Sequence, residues 1–270
     1  MPELPEVETT RSGIAPHITG QQITGTVIRQ SQLRWPIPND LEQHLKGRKI
    51  RAVERRAKYL LIKLTQGTLI IHLGMSGSLR ILPRSTEPGK HDHFDLLFKT
   101  LCLRFHDPRR FGAILWTTEP VADHKLIKHL GPEPLSPEFT GDYLHKQAQG
   151  RSVAVKNLIM DGKVVVGVGN IYANEALFRS GINPSRAANR ISADRYSQLA
   201  EEIKQVLAAA IKRGGTTLRD FQQEDGKPGY FAQELLVYGK AGEPCPGCGE
   251  PLKQKRIGQR SSFYCGKCQR

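Results

Sequence analysis

Two cysteine pairs, Cys245-x2-Cys248 and Cys265-x2-Cys268, stand sixteen residues apart near the end of the chain. No other feature limits the fold so strongly. A segment of about thirty residues cannot bury a core of its own, so it needs a disulfide or metal staple. The N-terminus is acidic and lacks the apolar stretch of a secretory leader. No apolar run approaches the ~20 residues of a spanning helix. The expected location is therefore the cytoplasm or nucleoid, where thiols stay reduced. Under those conditions the spacing predicts one structural Zn²⁺ held by four thiolates, whose binding supplies the folding energy of the segment. "QKRIGQRSSFYC" between the pairs predicts a β-hairpin with a basic tip. Residues 240–270 carry seven lysines and arginines against Glu243 and Glu250, which favours a DNA-contacting finger over a simple terminal clip. Cys102, in the alternating run "KTLCLRFHD", reads as a packed thiol.

The same sign of charge runs through the whole chain. Lys+Arg number 40 and Asp+Glu 26, a net charge of +14 over 270 residues. So large an excess points to a polyanion: nucleic acid is the expected partner, with an anionic membrane surface as the rival. The 38% hydrophobic and 24% charged residues exclude a disordered chain.

The hydrophobic pattern changes character partway along. "TGTVIRQSQLRW", "YLLIKL", "GTLIIHLGMSGSLRIL", "HFDLLFKTLCLRF" and "GAILW" are short strand-like runs punctuated by Gly, Pro and Asp, which suggest an antiparallel sandwich or barrel. A helix is expected from Glu6 to Ile18 beside it. "LGPEPLSPEF" reads as the inter-domain link. Beyond it, "VKNLIMDGKVVVGVGNIYANEALFRSG" predicts helix, glycine-rich turn, helix. A long amphipathic helix follows Ser192, with Tyr196, Leu199, Ile203, Val206, Leu207, Ala210 and Ile211 on one face.

Several short motifs carry chemistry. "MPELPEVETT" puts a proline at residue 2, and loss of Met1 would expose a secondary amine beside Glu3. An α-amine with a reference pKa of ~7.7–8 is a workable nucleophile near neutrality, and Glu3 is a candidate proton handler. The competing reading is a processed helix start with acids at the positive end of the dipole. "DPRRFG" (Asp107 to Gly112) couples arginines to an aromatic at a turn, which suits phosphate contact and wedging between bases. "HLGMSG" puts Met75 on a glycine-flexible loop, where an exposed Met would be a second wedge and a core Met is the simpler reading. "VVGVGNIYANE" allows backbone amides and Asn170 to approach a phosphate, but it is not a dinucleotide fingerprint, so no nucleotide cofactor is expected. "RGGTTLRDF" and "DGKPGYFAQ" read as a loop able to close over a planar ligand. Lys58 lies where a basic run meets a strand. "KHDHFD" could suggest a metal site, yet a His91–phosphate contact is the simpler reading.

In combination these motifs resemble those of the bacterial formamidopyrimidine-DNA glycosylases, which excise oxidised purines. The resemblance runs through "PELPEVET", "RRAKYL", "HLGMSGSLR", "DPRRFG", "HLGPEPL", "VVGVGNIYANE", "GGTTLRDF" and the four cysteines, over nearly the whole chain. It implies an α+β multidomain fold: an N-terminal β-sandwich with flanking helices (1–130), a helix-two-turn-helix module (131–235) and a C-terminal zinc-finger β-hairpin (236–270). The implied activity is a monomeric glycosylase and abasic-site lyase acting on damaged double-stranded DNA. By the same resemblance Pro2 is the nucleophile, Glu3 an acid/base and Lys58 a catalytic or phosphate-binding cation. Met75, Arg109 and Phe111 would fill the gap left by the flipped base. His91, Arg109, Arg110, Arg151, Asn170 and Arg260 would hold DNA, with Arg260 assisting elimination, and Thr216, Thr217 and Arg219 would contact the lesion. The sister endonuclease VIII type, acting on oxidised pyrimidines, shares the terminal Pro-Glu and the zinc hairpin, but "PELPEVET" and "RRFG" favour the purine branch. A non-catalytic zinc-ribbon DNA-binding protein would satisfy the charge and the cysteines while leaving Pro2 and Glu3 unexplained.

Overall fold

The structure, a computed structural model, describes residues 2–214 and 235–270. The chain divides into two compact units: of the described residues, the first holds those up to Lys128 together with Arg213 and Gly214, and the second holds His129–Lys212 and the C-terminal segment with the four cysteines. The lesion-loop candidates Thr216, Thr217 and Arg219 lie outside the described residues.

In the first unit α1 (Leu4–Ile18) is followed by β1 (Gly25–Ile28), the short α2 (Leu41–Leu45), β2 (Ile50–Arg56), β3 (Tyr59–Leu64), β4 (Thr68–His72), β5 (Ser78–Pro83), β6 (Asp92–Leu97), β7 (Leu101–His106) and β8 (Ala113–Thr117). The strands form two four-stranded antiparallel sheets, ordered β1-β6-β7-β5 and β2-β3-β4-β8. Leu60, Ile62, Leu69 and Ile71 from one sheet meet Phe94, Leu96, Leu103 and Phe105 from the other, and Val7, Ile14 and Ile18 of α1 join the same core. Burying each such side chain contributes about 1.5–3 kcal/mol. This is the sandwich that the strand-like runs predict.

Strand β2 is the element that the hydrophobic pattern hides. Four of its seven residues are charged, and a register shift between Ile50 and Ala52 breaks the two-residue period. Ile50 and Val53 consequently both turn inward, three residues apart. In the other sheet Arg104 is almost fully buried and donates to both oxygens of Asp95, at 2.9 Å each, and to the carbonyls of Thr86 and Glu87. A buried charge without such partners would be prohibitively costly.

The second unit holds α3 (Gly141–Ala148), α4 (Val155–Met160), α5 (Asn170–Arg179) and α6 (Ala193–Lys212), followed by the hairpin β9 (Lys253–Ile257) and β10 (Arg260–Tyr264). The Thr140 hydroxyl caps α3 by accepting the Tyr143 amide at 3.1 Å. The α6 core face contains Tyr196, Leu199, Ala200, Ile203, Val206, Leu207 and Ala210. "LGPEPLSPEF" packs into this unit rather than running as a free tether: Phe139 is buried and the Gly131 amide donates to Gly162 at 2.8 Å.

The hairpin is bolted to these helices. Fully buried Lys156 of α4 donates from Nζ to Ser262 Oγ at 2.7 Å and to the Ser261 carbonyl at 2.8 Å. Asn174 of α5 accepts the Phe263 amide at 2.7 Å. Glu175, also buried, accepts the amides of Leu236, Val237 and Tyr238 at 2.8–2.9 Å.

Candidate functional site

The first turn of α1 fixes the candidate catalytic terminus. Pro2 and Glu3 are both buried, and Glu3 is the N-cap of the helix. The Glu6 carboxylate accepts the Glu3 amide at 2.8 Å in a capping box, which satisfies an orphan donor and sets the direction in which the chain leaves the helix. One turn on, Glu8 accepts from Arg55 Nε at 2.8 Å and from Arg11 Nε at 2.7 Å. Burial acts against the Glu8 charge, yet the hydrogen bonds and charges of Arg11 and Arg55 outweigh it and lower the carboxyl's pKa. These pairs tie α1 to the end of β2, whose turn carries half-buried Lys58 just after Ala57 at φ +54°.

His72, at the end of β4, keeps a neutral ring beside that cation. Its pKa is lowered to about 4, chiefly by burial and then by the positive charges of Lys58 and Arg34. The Gly74 amide donates to His72 Nδ1 at 3.0 Å, which places the ring proton on Nε2.

The two candidate wedge loops meet. Gly74 adopts φ +66°, and a Cβ there would stand 2.4 Å from the carbonyl carbon of Phe111. This close approach brings the Met75 loop against "DPRRFG". Met75 is half-buried, whereas Arg109, Arg110 and Phe111 are exposed. The Arg109 guanidinium lies over the Phe111 ring at 5.2 Å, and Arg110 holds φ +56°. His91 is half-buried and edges against His106 and His93, with ring centroids 5.9 and 6.3 Å away. Its acidic neighbours are already committed: Asp92 to Arg80 and His106, Asp95 to Arg29 and Arg104.

In the second unit Asn170 opens α5 at a helix N-terminus, and its Oδ1 is buried without a hydrogen-bond partner. Arg151 is exposed after α3. Arg260 is exposed at the hairpin turn, where Gly258 at φ +53° and Gln259 at φ +66° form the two positive-φ positions of a tight connection. The four cysteine sulfurs lie within 4.8 Å of one another. Cys248–Cys265 and Cys245–Cys268 are 3.5 and 3.9 Å apart, against about 3.8 Å for the edge of a tetrahedron with Zn–S bonds of ~2.3 Å. The Cys268 amide donates to Cys265 Sγ at 3.4 Å, as a thiolate ligand requires. The donor set fits one structural zinc, and among the described residues no other His, Cys, Asp or Glu group has ligand geometry.

Asp107, Lys156, Asn174 and Glu175 were not singled out by the sequence. Only Asp107 carried a signal, as an Asp before proline at a turn.

Three family profiles match the chain: the formamidopyrimidine-DNA glycosylase N-terminal domain over residues 1–114, the H2TH domain of the same enzymes over 130–222, and the zinc finger found in FPG and IleRS over 242–270. The formamidopyrimidine-DNA glycosylases of Methylococcus capsulatus and Stutzerimonas stutzeri are each 60% identical over 271 residues, covering both chains completely. Among solved structures, the MutM (Fpg) protein of Thermus thermophilus is 38% identical with a TM-score of 0.89, over 99% of this chain and 98% of that one. Lactococcus lactis Fpg in complex with abasic-site DNA is 31% identical with a TM-score of 0.93, over 99% of both. By sequence, fold and zinc site together, this chain belongs to the formamidopyrimidine-DNA glycosylase family.

Proposed function

We propose that the protein excises oxidised purines, 8-oxoguanine and formamidopyrimidines, from double-stranded DNA and then cleaves the strand at the resulting abasic site, acting as a cytoplasmic monomer. The observation that carries this reading is the buried Pro2–Glu3 pair held at the start of α1 by its capping box. Structural relatives bound to abasic-site DNA and to N7-benzyl-Fapy-dG DNA support the substrate class. Relatives 60% identical over their full length support the purine branch over the pyrimidine-specific sister type.

In this reading, loss of Met1 frees the Pro2 amine to attack C1′ of the damaged nucleoside. Glu3 protonates the departing base or the opened sugar ring. A secondary amine bonded to C1′ becomes an iminium with no N–H left to lose, so its charge persists as an electron sink. The sink acidifies the 2′ carbon, and loss of that proton expels the 3′ phosphate; a second elimination releases the 5′ phosphate. Only a terminal proline supplies such an amine. Lys58 stabilises phosphate or developing charge, and His91, Arg110, Arg151, Asn170 and Arg260 hold the DNA backbone. Met75, Arg109 and Phe111 occupy the space left by the extruded base, whose removal from the stack costs a few kcal/mol. The zinc ion orders the basic hairpin, whose Arg260 assists the final elimination as well as holding the DNA; the ion itself takes no part in the chemistry.

Borohydride trapping tests the reading. Tag-free protein is reduced on a duplex with one 8-oxoguanine, and the cross-linked peptide is identified by mass. A cross-link at Pro2 is expected. Tight binding without one would leave a DNA-binding protein, and a cross-link formed only with an oxidised pyrimidine would move the substrate to the sister class.

A further inference from the structure

Asp107 is fully buried at the end of β7, and the reaction as described makes no use of it. Its Oδ1 accepts the Ser76 hydroxyl at 2.8 Å and the Arg109 amide at 3.3 Å, while Oδ2 accepts the Gly112 amide at 2.8 Å. Ser76 itself accepts the Arg109 amide at 3.2 Å. One carboxylate thus joins two loops 31 residues apart in sequence. Its main chain reaches a third segment: the Asp107 amide donates to the His91 carbonyl at 3.0 Å, and His93 Nε2 lies 2.9 Å from the Asp107 carbonyl.

We propose that Asp107 is the positioning residue of the wedge, clamping the Ser76 loop to the Arg109–Gly112 loop so that Met75, Arg109 and Phe111 enter the base stack as one rigid body. The inference rests on the glycosylase reading above. A buried carboxylate is tolerated here because one hydroxyl and two amides satisfy it, and an apolar residue would leave those donors without their acceptor. What the carboxylate adds is direction. Phe111 is 46% exposed, so the core does not fix it, and Arg110 sits in a left-handed conformation that relaxes unless its neighbours hold it. The fit leaves no slack: a Cβ on Gly112 would stand 2.5 Å from the Phe105 ring and 2.8 Å from the His72 carbonyl oxygen. A wedge that must displace a stacked base has to be stiff before it meets the DNA.

The test compares Asp107→Asn, Ser76→Ala and Phe111→Ala in the full zinc-loaded chain. Two duplexes are used, one with a single 8-oxoguanine and one with an abasic site at the same place. The abasic duplex has no base to extrude, so a positioning role and a general folding role separate. Single-turnover base release should fall about 10- to 100-fold in Asp107→Asn, the range for losing hydrogen bonds to a buried charge. It should fall about 3- to 10-fold in Ser76→Ala, while abasic-strand cleavage changes less than about 3-fold in either. A 2-aminopurine beside the lesion should lose the fluorescence change that reports unstacking. Equal losses on both duplexes would overturn the proposal, and so would full-rate base release by folded Asp107→Asn. If Asp107→Asn does not fold, Ser76→Ala carries the same comparison. Phe111→Ala separates the two readings. Full-rate release by that variant faults the wedge itself, whereas slow release beside a normal Asp107→Asn faults only the clamp.

Discussion

The Glu6 carboxylate receives the backbone N–H of Glu3 at 2.8 Å, so the residue beside the proposed nucleophile is fixed by the protein before any DNA arrives. Catalysis gains when reacting groups are held in place in advance. Glu6→Ala removes the acceptor and should cost about 1 kcal/mol of stability, the usual effect of losing a helix cap. Its larger effect should fall on chemistry, with the borohydride cross-linking rate at Pro2 dropping about 10-fold or more. Glu6→Gln keeps an oxygen able to accept the amide and should lose less on both counts. A Glu6→Ala protein that cross-links at the full rate would show that the capping box serves folding alone.

Gly74 makes a sharper test of loop packing. Its φ of +66° disfavours any side chain, and the nearest atoms to an added Cβ, 2.4–2.6 Å away, are backbone atoms of Phe111 and Gly112 that cannot swing aside. Gly47 has φ +80° but nothing within 4 Å of an added Cβ. Gly47→Ala should therefore show the conformational cost alone, about 1 kcal/mol, while Gly74→Ala should lose about 2–3 kcal/mol more. Urea denaturation measures both, and equal losses would mean that the two loops do not touch as described.

His72 supplies a pH dependence. Its folded pKa of about 4 lies below the ordinary 6.5, because burial, Lys58 and Arg34 oppose the charged ring. The unfolded chain therefore takes up this proton first, and the His72 contribution to stability is complete above pH ~6.5 and lost progressively as the pH falls toward about 4. His72→Asn, which retains an acceptor for the Gly74 amide, should flatten this acid limb when urea midpoints are compared between pH 7 and pH 4.5. A ring that titrates near 6.5 by NMR in the folded protein would contradict the argument.

The parts of this molecule that were legible in sequence are those whose partners lie close along the chain or whose chemistry is peculiar to one residue type. Each C-x2-C pair already holds two ligands at the spacing that a tetrahedral ion needs. Asp107, Lys156 and Glu175 are different. Their partners Ser76, Ser262 and Val237 are 31, 106 and 62 residues away, so nothing local marks Lys156 and Glu175 as buried polar anchors, and the Asp-Pro turn signal at Asp107 does not name its partner. Strand β2 escaped for a related reason: its inward residues Ile50 and Val53 are spaced by a bulge that pairing with β3 creates.

Zinc removal tests the finger and the helices beneath it together. The C-terminal core is small, consisting of Val237, Leu252 and Phe263 with Cys245 and Cys265, and it cannot offset the ordering of some thirty residues without the metal. Stripping the ion with a chelator should unfold β9 and β10, taking from Lys156 and Asn174 the hairpin groups that they now bond. Arg260 and the lysines of β9 would lose their fixed presentation. Affinity for undamaged duplex should then fall about 10-fold or more at moderate salt, with a shallower salt dependence because fewer phosphates are neutralised. The strands of the N-terminal sandwich, which has its own core, should persist in the far-ultraviolet circular dichroism spectrum. Stoichiometric Zn²⁺ should restore binding, whereas in Cys265→Ser it should not. If metal-free protein binds duplex DNA as tightly as the loaded form and with the same salt slope, the hairpin is a terminal clip and the DNA contacts lie elsewhere on the basic surface.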